Sequence, residues 1–351
     1  MDGVRGTSRI SGWLGTHQGR WTVMVTVMLV AWLATVPAGA IQAPLVTLRV
    51  DTRPRVVSHG PIYIAMDEGY FEREGLRIEL VPLSGSDLAI TLLSQGAIDV
   101  FNGLTEANFF NALARGLQLR IVADKWHSEP GDRSFGLVVR KELHDHGLRT
   151  AAGLAGRRIA IPTVSGFGGY FISQLLASGK VSLKDVTLVP NLRGAVLIEA
   201  LQTGAVDAGL LFEPDITIGR RQGVSVPLAF GEEVVPGQQV TMVIFGPNLL
   251  IRNREAGVRY LRAYLRGVQR YSEGKTPSNL RIMARRLELD EAILREASWP
   301  PISKSGTVNG VFLMRLQDWL YESRFIDVRI PLQQMLDVSF VERALAAPAR
   351  P

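Results

Sequence analysis

The residues of this 351-residue chain that could grip a small molecule stand beside glycines and prolines at the predicted ends of strands. His59-Gly60-Pro61, Ser84-Gly85-Ser86, Asn102 with Thr105 and Glu106, Lys125-Trp126, Thr163 with Ser165 and Phe167, Arg193, and Phe212-Glu213 make up this set. Hydroxyls, amides and helix-opening N–H groups can hold oxygen atoms without any reaction, because the first N–H groups of a helix have no partner inside it. Trp126, Phe167 and Phe212 offer flat apolar walls for a ring. Arg193, Lys125 and the helix starts suit a sulfonate or carboxylate; Glu106 and Glu213 suit a neutral or amino-bearing heteroaromatic. A lone buried carboxylate repels an anion, so both sets face one ligand only if they pair with each other. The sequence leaves that choice open. Each residue also has a plainer reading: Ser84 and Ser86 as N-caps, Glu106 and Glu213 as acids offsetting a helix dipole, Arg193 as a solvated loop residue. Trp126, in the polar stretch 124–132, is the expected aromatic anchor. On that reading Trp126→Ala weakens binding about tenfold and leaves the fold intact.

Catalytic patterns are missing from the sequence. No GxSxG, HExxH or phosphate-loop motif occurs, and the glycine-rich SGFGGY at 165–170 lacks the lysine of a phosphate loop. There is no cysteine, which excludes disulfides, thiolate metal sites and a thiol nucleophile. His144-Asp145-His146 fits no common ligand spacing, so neither metal nor cofactor is expected.

A repeat must position these loops. Val81–Val100 (VPLSGSDLAITLLSQGAIDV) returns 108 positions later as Val189–Ala208 (VPNLRGAVLIEALQTGAVDA). Val, Pro, Ile, Leu, Gly, Ala and Asp recur in place, ending on Gly96/Gly204 and Asp99/Asp207. Each copy reads as strand end, loop, helix, glycine stop and new strand. Asp99 and Asp207, inside the repeat, read as structural. Strand and helix alternate three times before residue 123, which predicts a parallel sheet with right-handed crossovers. Helices are expected at Ile62–Glu74, Arg254–Glu273, Asn279–Glu296 and Val308–Glu322. Gln239–Phe245 is a β-forming run placed where the chain would return to the first lobe.

Composition is that of a globular protein, 46% hydrophobic and 21% charged, with a net charge of +6. Arg5, Arg9 and Arg20 precede an uncharged apolar run from Trp21 to Ala34, and Ala38-Gly39-Ala40 follows. This is the layout of a cleavable secretory signal peptide, and without a cysteine no lipid is attached. Removing residues 1–40 leaves about +4, scattered among acids, so no nucleic-acid partner is expected.

GPIYIAMDEGYFEREGLRIELVP (60–82), LLSQGAIDVFNG (92–103), EALQTGAVDAGLLFEPD (199–215) and the closing LDVSFVERAL (336–345) together resemble the periplasmic substrate-binding proteins of ABC importers. The branch is the one that binds nitrate, sulfonates such as taurine, and thiamine-pyrimidine precursors. The resemblance implies a type II two-lobed α/β fold, each lobe a parallel-rich sheet flanked by helices, with a two-segment hinge. The lobe boundaries expected are 41–137 with 243–351 for the first lobe and 138–242 for the second. It further implies a monomeric periplasmic receptor that closes on a small organic solute and delivers it to a permease and its ATPase, without being an enzyme. The branch also holds thiamine-pyrimidine synthases, but those are cytosolic with a cysteine-rich motif. A ligand-sensing or partner-presenting role is the other alternative.

Overall fold

A computed structural model describes residues 44–83, 85–104 and 106–346. The expected signal segment, Ser84 and Thr105 lie outside the described residues. No described helix is long and apolar enough to cross a membrane.

Ten strands occur among the described residues: β1 (Val46–Thr52), β2 (Leu76–Pro82), β3 (Val100–Leu104), β4 (Arg120–His127), β5 (Phe135–Arg140), β6 (Arg158–Ile161), β7 (Thr187–Pro190), β8 (Ala208–Phe212), β9 (Ser225–Phe230) and β10 (Gln239–Phe245). They form two five-stranded sheets of orders β2-β1-β3-β10-β4 and β7-β6-β8-β5-β9. In the first, β1 runs parallel to β2 (Val50 opposite Leu80) and to β3, while β10 lies antiparallel between β3 and β4, with Val243 opposite both Asn102 and Ala123. The second repeats the plan: β6 is parallel to β7 and β8, and β5 is antiparallel to β8 and β9.

Each sheet thus takes one antiparallel strand from a segment that has just crossed from the other. The parallel pairings expected from strand–helix alternation hold for β1, β2 and β3, and the returning strand from residue 239 makes the sheet mixed. All of β10 is buried, as a central strand covered on both faces should be. The crossings fall at 128–134 and 235–238; the expected boundaries 137/138 and 242/243 lie inside β5 and β10.

The helices that matter for the cleft are α1 (Gly60–Asp67), α2 (Ser86–Ser94), α3 (Ala107–Ala114), α4 (Phe167–Ser178), α5 (Gly194–Gln202), α6 (Asp215–Arg221), α7 (Arg254–Tyr271), α8 (Pro277–Leu287), α9 (Glu291–Glu296) and α10 (Gly310–Glu322). Two expected helices are split. The helix expected from Ile62 breaks at Gly69 (φ 69°) before the short turn Tyr70–Arg73, and the one over Asn279–Glu296 breaks at Glu288 (φ 53°), with Asp290 capping α9 through a 2.8 Å bond from the Ala292 N–H.

The sequence repeat is a structural one. Gly96 and Gly204 stop their helices at φ 73° and 74°, the left-handed region that a glycine enters without cost. Asp99 accepts from the Arg49 backbone N–H (2.7 Å) and side chain, and Arg49 Nη2 donates to the Gly96 carbonyl (2.7 Å). Asp207, Arg158 and Gly204 repeat this clamp at 2.9 and 2.7 Å. Both aspartates tie a helix stop to a neighbouring strand and take no part in the cleft.

Candidate functional site

The loops after β1 and β8 and the walls of β4 and β10 enclose a cavity of about 310 Å³ between the two sheets. His59, Asn102, Lys125, Trp126, Arg193, Phe212 and Glu213, all expected at the site, line it. Arg53, Arg55, Ser58, Thr241 and Asp215 line it too. The strand-end rule that picks out His59 also reaches Arg53-Pro54-Arg55 in the same loop. Thr241 carries no sequence signal, because only the return crossing of β10 brings it there.

The floor is buried and polar. Lys125 is fully buried, its Nζ donating to Ser58 Oγ at 2.8 Å. Burial lowers its pKa to about 7; Asp51 opposes that shift and Arg53 adds to it. Burial, with the charges of Lys125 and Arg53, also holds His59 well below the ordinary histidine range, so its ring is neutral. Asp51, buried beneath, accepts from the Asn102 side chain at 3.0 Å.

The lip is cationic. Arg53 Nη2 donates to Ser86 Oγ (3.4 Å), with its guanidinium 5.8 Å from the centre of the Phe101 ring. Arg193, exposed at the start of α5, reaches the Pro162 carbonyl (3.4 Å). Glu106 is buried; burial raises its pKa, against the Ser86 hydrogen bond and the charges of Arg53 and Arg193. Glu213 is consumed locally: it accepts from the Thr217 N–H (3.0 Å) and hydroxyl (2.9 Å) and from the Ser298 N–H (3.3 Å). Burial brings Asp215 up to about 6 against the pull of Arg55. Glu213 is therefore capped and Glu106 hydrogen-bonded to Ser86, while Asp215 feels only the charge of Arg55; such compensation is the condition for arginines and carboxylates to share one cleft.

Six expected residues fall elsewhere, and two more stand just outside the cavity lining. Gly60 and Pro61 form the buried first turn of α1, not a cleft loop; a Cβ on Gly60 would meet the Tyr271 ring at 2.7 Å, and one on Gly267 of α7 would meet the Pro61 carbonyl. Gly85 is the N-cap of α2 and does not line the cavity. Thr163 Oγ1 lies 3.5 Å from Ser165 Oγ, and the Ser165 carbonyl accepts from the Ala107 N–H at 2.8 Å, joining the second lobe to the first. Phe167 is fully buried, as is Phe135, and packs on it at 5.9 Å. Ser86 and Glu106 stand just behind the lip, reaching the cavity through Arg53.

Trp126 needs a correction. It lines the cavity yet is only 3% exposed, edge-on to Phe135 (5.5 Å) and Phe212 (5.6 Å), with Nε1 3.5 Å from Asp132. The polar stretch around it does not keep it out of the core, because Phe135 and Phe212 arrive from the other sheet. It is both wall and core.

Outside the cavity, ion pairs from α6 to α9 latch the second lobe to the first. Glu296 accepts from Arg221 Nε (2.7 Å) and pairs with Arg220. The Glu296→Gln variant is expected to release a bound ligand about two- to fivefold faster, an effect that fades with added salt, as for any exposed ion pair. Stopped-flow dissociation at low and high salt measures it; an unchanged rate removes the latch.

A family model described as NMT1/THI5 like matches residues 56–273, more than half of the chain. A curated relative, the putative binding protein YtlA of Bacillus subtilis, is 23% identical over 232 residues, 64% of this chain and 66% of that protein, so the match spans just under two thirds of its length. Two solved structures share the fold. One is the alkanesulfonate-binding protein SsuA of Xanthomonas axonopodis pv. citri bound to MOPS (TM-score 0.68, 20% identity, 83% of this chain and 98% of that one). The other is the periplasmic nitrate-binding protein NrtA of Synechocystis PCC 6803 (TM-score 0.68, 14% identity, 88% and 91%).

Proposed function

This chain belongs to the NMT1/THI5-like family, and on that premise we propose that it is a periplasmic solute-binding receptor for a small organic anion. In this reading the two lobes close on a sulfonate or carboxylate, and the loaded protein docks on an ABC permease driven by its ATPase. The protein works as a monomer, exported by a cleaved signal and carrying no chemistry of its own. The observation that carries the reading is the lip: Arg53, Arg55 and Arg193 around one cavity, while Glu213 is bound by Thr217 and Ser298. Binding proteins for alkanesulfonate and for nitrate among the structural neighbours support an anionic ligand.

A thermal-shift screen against organic sulfonates, organic carboxylates and neutral heteroaromatics tests it, since a ligand held only by the folded state raises apparent stability by mass action. Stabilisation by sulfonates or carboxylates is expected. Stabilisation by neutral heteroaromatics alone reverses the ligand class, and none at all favours a sensing or partner-presenting role.

Lys125 adds a pH signature. Its pKa of about 7 rises beside a bound anion, so binding takes up a proton. Affinity for an anion is expected to fall from pH 6 to pH 9, by about tenfold for each unit the bound-state pKa is raised. The arginines stay charged throughout, and Asp215, losing its proton near pH 6, works in the same direction. Titration calorimetry across that range checks it, and Lys125→Met should flatten the profile above pH 7.

A further inference from the structure

Behind the arginine lip, the cavity floor holds polar groups that an anion alone leaves unpaired. His59 is 1% exposed with neither ring nitrogen hydrogen-bonded, and Thr241, 6% exposed, has an unpartnered Oγ1. Both line the cavity that Arg53 and Arg193 border. A neutral imidazole presents one donor and one acceptor, and a hydroxyl can do both. A sulfonate or carboxylate oxygen only accepts, so it cannot satisfy the acceptor nitrogen of His59. Each buried polar atom left unpaired on binding carries a desolvation penalty, which makes such a floor discriminating.

Resting on the anion-receptor reading, we propose that the ligand is bifunctional: an anionic group held at Arg53 and Arg193, and at its other end a neutral hydrogen-bond donor–acceptor, such as a hydroxyl or carboxamide, seated on His59 and Thr241. Trp126 and Phe212 between the two ends provide walls for an unsaturated or aromatic body. The inner group is neutral rather than an ammonium, because Lys125 and the arginines make this surroundings positive. Asp51 does not offset that by direct contact: its Oδ2 is unpartnered, but the residue is buried beneath the floor and is not among those lining the cavity.

Three probes separate the possibilities by titration calorimetry on the purified protein: benzenesulfonate, 4-hydroxybenzenesulfonate and 4-(aminomethyl)benzenesulfonate. The hydroxyl probe is expected to bind at least about tenfold tighter than either of the others, because each of those leaves buried polar atoms of the floor unpaired. In Thr241→Val, a near-isosteric change, the ratio of hydroxyl probe to parent should fall towards one. Equal affinity for all three overturns the inference and leaves the anion reading standing. A preference for the ammonium probe overturns the neutral inner group. If no sulfonate binds but phenol does, both the inference and the anion reading fail. If no probe binds, the inference fails, and the screen of simple anions decides the reading on its own.

Discussion

Arg53→Ala is expected to weaken binding of an organic sulfonate or carboxylate by about ten- to a hundredfold. A hydrogen bond from a charged donor contributes about 1.5–3 kcal/mol, and each 1.4 kcal/mol is a factor of ten. Arg53 stands where the effects add: it lines the cavity, donates to Ser86, and its charge eases buried Glu106 more than that of Arg193 does. Removing it leaves Glu106 with less compensation beside an incoming anion. Arg53→Lys should recover only part of the loss, because an ammonium cannot make the forked contact of a guanidinium. Titration calorimetry decides the point, and unchanged affinity in Arg53→Ala takes the residue out of the site.

Trp126→Ala is expected to cost the fold about 3–5 kcal/mol, the usual range for deleting a buried aromatic. The ring fills the seam between the sheets, meeting Phe135 and Phe212 from the second lobe, so its loss opens a cavity in a core shared by both. Urea unfolding measures this, and a variant as stable as the parent would show the seam to be unimportant. The binding loss of about tenfold expected from sequence remains, but the fold is not left untouched. Trp126→Phe keeps a ring in the seam and should lose less stability, while giving up the Nε1 contact to Asp132.

The difference between these two residues shows where sequence reading stops. Arg53 was legible in principle: it follows β1 in the loop that brought His59 forward, and the strand-end rule applies to it equally. Trp126 was legible as a wall and misleading as a free one. Its local neighbours are polar, and the rings that bury it come from residues 135 and 212, which local sequence cannot bring together.

By itself the sequence determined the duplicated architecture. Seven recurring residues at a fixed offset, with glycines at the helix stops and aspartates after them, encode two lobes of one plan, and the matching clamps of Arg49–Asp99 and Arg158–Asp207 are its local expression. The β-forming run Gln239–Phe245 marked the return strand, since a strand covered on both faces reads as a near-continuous apolar run, here broken only by Gln239 and Thr241. Tertiary structure alone decided which charges face the cavity. Glu213 lines the cavity with its oxygens held by Thr217 and Ser298, Lys125 is buried beside Asp51 and Ser58, and Thr241 arrives on the return strand. Spacing carries local periodicity, whereas desolvation and pairing depend on groups brought together from distant segments, and those set the charge of a site.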